Sequence, residues 1–172
     1  IGTSALVNDG KMQTDCDDIR FTDQFGNLIP HWIEENNPGC NAATDTKIWL
    51  KPSSIPQNGT TIYLYYGNSS ASNSESGIDV FNFFDGFDGS SLDSKWTALE
   101  TGYTNVSNSF LEIDRTSLNT QIAAVYPSLS ESIIEFKGIQ LMESYSYRNR
   151  FYFGTFDGST FSQSNPGGGD YG

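Results

Sequence analysis

The chain has 172 residues and carries 9 Lys and Arg against 21 Asp and Glu, a formal net charge of −12. Such a surface has no basic stripe with which to release counterions, which excludes nucleic acid and other polyanions as partners. The length suffices for one domain or two small ones with a buried core, and aromatic residues at 14% beside charged residues at only 17% are the profile of an extracellular β protein.

Residues 1–14 hold one short apolar piece, Ala5-Leu6-Val7, ended by the turn Asn8-Asp9-Gly10. The densest run follows, Asp15-Cys16-Asp17-Asp18-Ile19-Arg20-Phe21-Thr22-Asp23. Ile19 and Phe21 alternate with Arg20 and Thr22, the period of a half-buried strand, so the aspartates stand at its mouth. Two readings of that mouth stay open. In the structural one, which the spacing favours, a carboxylate pairs with Arg20 and others make Asx turns. In the other, Asp15, Asp17 and Asp18 gather a calcium ion, the one cofactor the chain suggests, although the regular Asp-x-Asp-x-Asp-Gly spacing of a calcium loop is missing.

Cys16 and Cys40 are the two cysteines; both lie in polar turn sequence, which favours a disulfide closing a loop of about 25 residues over two free buried thiols. Zinc has no support from one histidine and two separated cysteines. Strands are expected at Leu28 to Glu35, where His31 sits beside Trp32, and at Lys47 to Lys51. The strongest runs from Thr60 to Tyr66, with Ile62, Leu64 and Tyr66 on one face and Thr61, Tyr63 and Tyr65 on the other. Residues 67–79 are rich in Ser, Asn, Ala and Gly without an apolar period and read as a linker.

Beyond it, Phe81 to Gly89 reads as a strand entering a tight turn, and Ser91 to Trp96 as a turn that seats the tryptophan. Further strands are expected at Ser109 to Ile113, Gln121 to Tyr126, Ser132 to Ile139 and Arg150 to Phe156, with an exposed loop after Phe161. No stretch longer than a turn has a helical period, so the fold class is all-β, a β-sandwich module followed by an incomplete jelly-roll-like one.

Two resemblances follow from these motifs. Lys11-Met12-Gln13, Asp15 to Phe21, Trp32-Ile33-Glu34, Lys47-Ile48-Trp49 and Ile62 to Asn68 together resemble the domain of unknown function numbered 2341, over residues 1–77. That resemblance implies an exported or surface protein of an archaeon or bacterium, with no biochemical role attached. Phe83-Phe84-Asp85-Gly86-Phe87-Asp88-Gly89 and Ser90 to Trp96 resemble the opening of concanavalin A-like lectin and glucanase jelly rolls, which would occupy residues 78–172. The glucanases of that group carry Glu-x-Asp-x-x-Glu on a strand; here Glu112 and Asp114 stand without the third carboxylate, so no catalytic residue is expected. His31 has no nucleophile partner motif and is expected to be a surface or half-buried residue.

The remaining functional signal is aromatic. Trp49, Tyr63 and Tyr65 lie opposite the expected core face: either they pack between sheets or against the second module, which so many aromatic residues favour, or they form a platform for sugar rings. Asn58, Asn68 and Asn105 head glycosylation sequons, as in an exported glycoprotein. The chain starts Ile1-Gly2-Thr3, has no membrane-spanning run, and reads as an excised piece of an extracellular or cell-surface protein. The expected function is adhesion or carbohydrate binding, with a glycan as partner. The alternatives are a structural subunit of a filament or surface layer, partnered by neighbouring surface-protein subunits, and a remote glycoside hydrolase.

Overall fold

The first strand grows from the alternation around Phe21. In the computed structural model, which describes residues 1–34, 39–42, 45–98, 104–113, 122–124, 154–156 and 161–163, β1 (Arg20–Thr22) pairs antiparallel with β2 (Leu28–Ile29). The turn between them is closed by Asp23, whose Oδ1 accepts the amides of Phe25 at 2.8 Å and Asn27 at 2.9 Å. Gly26 completes the turn at φ +84°, a conformation only glycine adopts without strain. Pro30 then divides the single strand expected from Leu28 to Glu35, and β3 (His31–Ile33) turns away to pair with β4 (Ile48–Leu50). β5 (Tyr63–Tyr65) returns to the other side of β1, giving a three-stranded sheet in the order β2-β1-β5 beside the β3-β4 pair.

Both sheets feed one core. Phe21 and Ile29 from the first sheet, Ile33 from the second, and Met12, Cys16 and Ile19 from the segment before β1 are buried together. Ile48, Leu50, Ile62 and Leu64 pack against them. Ala5-Leu6-Val7 belongs to a short helix, α1 (Thr3–Asn8), that sets Leu6 and Val7 on this core. Gly10, at φ +67°, ends the helix: its amide donates to Val7 O at 2.9 Å and the Lys11 amide to Leu6 O at 2.9 Å, a Schellman cap. Cys16 and Cys40 form the expected disulfide, Cα to Cα 5.9 Å.

The chain divides into two compact units, Ile1–Gly86 and Phe87–Gly172. Residues 67–79, expected to be a linker, form instead a strap tied down on the first unit. Gln13 Nε2 donates to Asn68 O at 2.8 Å and Ala71 O at 3.0 Å, Arg20 donates to Ser72 O at 2.7 Å, and the Ser76 amide donates to His31 O at 2.9 Å. These bonds use the strap's carbonyls and amides, so a side-chain pattern does not reveal them.

The strap ends in α2 (Gly77–Val80), capped by the Ser76 hydroxyl, which accepts from the Asp79 amide at 3.2 Å. Residues 81–84, expected to be a strand, bend so that Phe81 and Phe84 stack at 5.8 Å and 10° and both meet Trp32 edge-on. The Phe84 ring lies over Gly77, where a Cβ would fall 2.4 Å from it. Gly77→Ala is therefore expected to cost about 2 kcal/mol of stability, because Trp32 and Phe81 hold the ring in place. Urea unfolding should show most of that cost vanish when the same change is made in a Phe84→Ala background.

In the second unit β6 (Trp96–Ala98) pairs antiparallel with β9 (Ile122–Ala124), β7 (Thr104–Ser107) with β8 (Phe110–Ile113), and β10 (Gly154–Phe156) with β11 (Phe161–Gln163). Asn108 and Ser109, at φ +52° and +59°, make a two-residue hairpin turn of the kind that matches strand twist. Trp96 is seated by Phe87, stacked at 5.8 Å and 29°, and its amide donates to Asp93 O at 2.9 Å. The described chain is thus all-β, in antiparallel sheets with two short helices. The strand expected at Ser132 to Ile139 lies outside the described residues.

Candidate functional site

The register of the first sheet decides which side chains face outward. Phe21 lies opposite Ile29 on one side and Leu64 on the other, and this row points into the core. The next row therefore points away: Leu28, Thr22 and Tyr63 stand in line, with Arg20 opposite Tyr65 one pleat further on. Tyr63 and Tyr65 are 48% and 54% exposed and Leu28 is 72% exposed, while Thr22 between its neighbours is buried. The two tyrosines are spaced two residues apart, about 7 Å along the strand. Each ring offers a flat apolar face with a hydroxyl at its tip.

Arg20 is fixed at the edge of this face. Its Nη1 donates to Asp17 O at 2.8 Å and Ile19 O at 2.6 Å, and its Nη2 donates to Ser72 O at 2.7 Å. The guanidinium is committed to carbonyls of the strand mouth and the strap, which leaves the face dominated by the tyrosine rings.

Trp49 is not brought to the tyrosines. It lies on β4 in the other sheet, half-buried, in edge contact with Phe81 at 5.5 Å. Its Nε1 donates to Glu34 Oε2 at 2.8 Å, the same oxygen holds Lys47 Nζ at 2.8 Å, and that ammonium sits 4.6 Å from the indole centre. Trp49 is on the side that the alternation predicts, but Phe81 comes back against it.

The aspartates of the mouth do different jobs. Asp18 is buried at 3% and accepts the Gln13 amide at 3.1 Å on Oδ1 and the Gly67 amide at 2.5 Å on Oδ2. Asp15 accepts the Asp17 amide at 3.2 Å, an Asx turn, and Asp17 gives its carbonyl to Arg20. No carboxylate of the mouth is seen paired with the guanidinium, whose partners there are carbonyls. Among the described residues no three His, Cys, Asp or Glu side chains gather into a group that could hold a metal ion. A small open cavity of about 140 Å³ lies beside Asp18, between Met12, Gln13, Gly67 and Ser69.

His31, expected at or near the surface, is buried at 4%, its ring 5.4 Å from that of Phe21. The imidazole sits on the inward side of β3 because Trp32 takes the outward side. Burial lowers its pKa from the usual 6.5, against the attraction of Glu75, with Arg20 lowering it further. The Asp23 carboxyl is held below the usual carboxylate range chiefly by the Asn27 side chain, which donates at 2.8 Å. Glu112 is exposed on β8, and Asp114 lies outside the described residues. Asn58, Asn68 and Asn105 are all exposed.

Residues 15–99 match the family model described as Domain of unknown function (DUF2341). The DUF2341 match includes the acidic mouth, every residue of the tyrosine face, the strap and α2, and it runs on through β6. It starts and ends later than the 1–77 span that the sequence motifs carry. No curated protein and no solved structure matches the chain.

Proposed function

We propose that this chain is part of an exported surface protein and that its first unit binds carbohydrate, with Tyr63 and Tyr65 as the stacking platform. One observation carries the reading: two tyrosines on one outward sheet face, about half exposed, beside an exposed leucine and over a core that fixes their strand. Tyrosine rings stack on the C–H faces of sugars while their hydroxyls and nearby Asn and Asp side chains bond to sugar hydroxyls. The net charge of −12 favours an uncharged glycan. The disulfide supports an oxidising compartment, and among the described residues no helix is long and apolar enough to cross a membrane. For the second unit, whose opening motif resembles the concanavalin A-like jelly rolls, the reading extends to a lectin-like partner module.

The test is binding of the full chain to a panel of neutral polysaccharides by array and then calorimetry. Tyr63→Ala and Tyr65→Ala are each expected to weaken binding about tenfold, equivalent to about 1.4 kcal/mol. Tyr65→Phe should keep most of the affinity, since the ring remains. Unchanged binding in the Tyr63→Ala/Tyr65→Ala double variant would remove the platform from the reading. β5 is an edge strand that pairs only with β1 among the described residues, which favours a second reading, a structural subunit whose edge a neighbour completes. Concentration-dependent polymers with no glycan bound would replace the first reading with this one.

A further inference from the structure

The fold treats the three sequons of the chain differently. Asn58-Gly59-Thr60 stands in the loop that enters β5, where every residue of 53–61 is exposed. The Gly59 amide donates to Pro56 O at 2.8 Å and Gly59 lies at φ +83°, so Gln57 and Asn58 form the tip of a tight turn. Among the described residues no hydrogen bond ties residues 53–61 to the rest of the unit, and neither the Asn58 side-chain amide nor the Thr60 hydroxyl has a partner. We infer that Asn58 is the N-glycan acceptor of the folded chain, modified by transfer of an oligosaccharide from a polyprenyl-diphosphate donor.

In that transfer Asn58 Nδ2 forms a bond to C1 of the first sugar. The C1–O bond to the diphosphate breaks, its electron pair leaves on the diphosphate, and one amide proton passes to a base of the transferase. The transferase has to hold the asparagine amide and the hydroxyl two residues on together, so the sequon must leave the surface as a bent loop. The Asn58 loop does so without breaking a tertiary hydrogen bond. Asn68, although exposed, is held: its carbonyl accepts Gln13 Nε2 at 2.8 Å and the Ala71 amide at 3.0 Å, and its Oδ1 accepts the Ser70 amide at 3.0 Å. Asn105 lies within β7 opposite Glu112 of β8, and its sequon includes Val106, which is 4% exposed. To present it, the β7–β8 ladder must open and Val106 must leave its burial.

The order Asn58, Asn68, Asn105 comes from the fold, because all three triplets satisfy the same sequence rule. Asn58 is presented in every folded molecule, whereas Asn105 is presented only in the fraction whose hairpin is open, and its rate of transfer scales with that fraction. Modification in the organism rests on the exported part of the proposed function, since sequons are read in exported chains. It is independent of the tyrosine platform.

The test incubates the full chain, folded with its disulfide intact, with a purified single-subunit oligosaccharyltransferase and a polyprenyl-diphosphate oligosaccharide. Chymotryptic peptides are followed by mass spectrometry, since cleavage after Tyr63, Tyr65 and Tyr66 separates Asn58 from Asn68. Each rate is divided by that of a synthetic peptide of the same sequon, which removes the transferase's own sequence preference. On this relative scale Asn58 should exceed Asn105 by at least about tenfold, with Asn68 between them. Thr60→Ala should abolish the gain at Asn58 in a chain that stays folded. A bare Asn58 in the folded chain, or Asn68 or Asn105 modified as fast as Asn58, would overturn the inference. Mass analysis of the protein from its own source tests export separately: Asn58 bare there, yet accepted by the purified transferase, counts against export and not against the acceptor.

Discussion

Asp18→Ala is expected to lower the stability of the first unit by about 4 kcal/mol. The carboxylate is 3% exposed and each of its oxygens is the acceptor of a backbone amide, Gln13 at 3.1 Å and Gly67 at 2.5 Å. Truncation leaves two donors in a place where water has little access, and an orphaned buried donor costs about 1–3 kcal/mol. The loss is structural in a specific way, because Gly67 follows β5 and Gln13 precedes the disulfide, so Asp18 fastens the exit of the tyrosine strand to the approach of β1. Asp18→Asn should cost about half as much, since one amide oxygen still accepts while its NH₂ opposes the other donor. Exchange protection at Phe21 measures the effect in the intact chain. A loss under about 0.5 kcal/mol for the alanine variant would show that Asp18 is not the clasp described.

The same residue marks where the sequence was legible and where it was not. The alternation of Ile19 and Phe21 against Arg20 and Thr22 places β1 and its inward face correctly, because the apolar residues mark that face, while Thr22 on the other row is covered by its neighbours. The alternation of Ile62 and Leu64 against Tyr63 and Tyr65 likewise places both tyrosines outward. The disulfide was legible by elimination, from two cysteines in turn sequence. The strap was not, because Asn68, Ala71 and Ser72 contribute carbonyls and Ser76 an amide, which every residue but proline possesses.

The surroundings of Trp49 and His31 are not written in local alternation, for a related reason. Local alternation tells which residues share a side of a strand and says nothing about what later returns to cover that side. Phe81 and Phe84 return to the side of Trp32 and Trp49. Pro30 then breaks the strand at the point where His31 enters the core opposite Trp32, a switch of sheet that a single alternating run from Leu28 to Glu35 cannot represent. α1 shows in the sequence only as a turn-ended apolar piece, since six residues are too few to display a helical period.

Removing the disulfide is expected to cost about 3 kcal/mol. The bond joins residues 24 apart in sequence, and constraining a loop of that size in the unfolded chain is worth about 3 kcal/mol in the chain-entropy account. The enclosed segment contains β1, β2 and β3, strands of three, two and three residues. Ladders this short supply few hydrogen bonds each, so their arrangement depends on long-range ties more than a sheet of longer strands would. Cys16→Ala/Cys40→Ala and wild-type protein treated with reductant should lose about the same stability, measured by urea unfolding with intact mass confirming two free thiols. Cys40→Ala alone should match them, because Cys16, 2% exposed beside Met12, is tolerated as a small buried hydrophobe once its partner is gone. If the double variant were as stable as wild type, the β1–β3 segment would be held by core packing alone, and the role given to the clasp at Asp18 would grow to match.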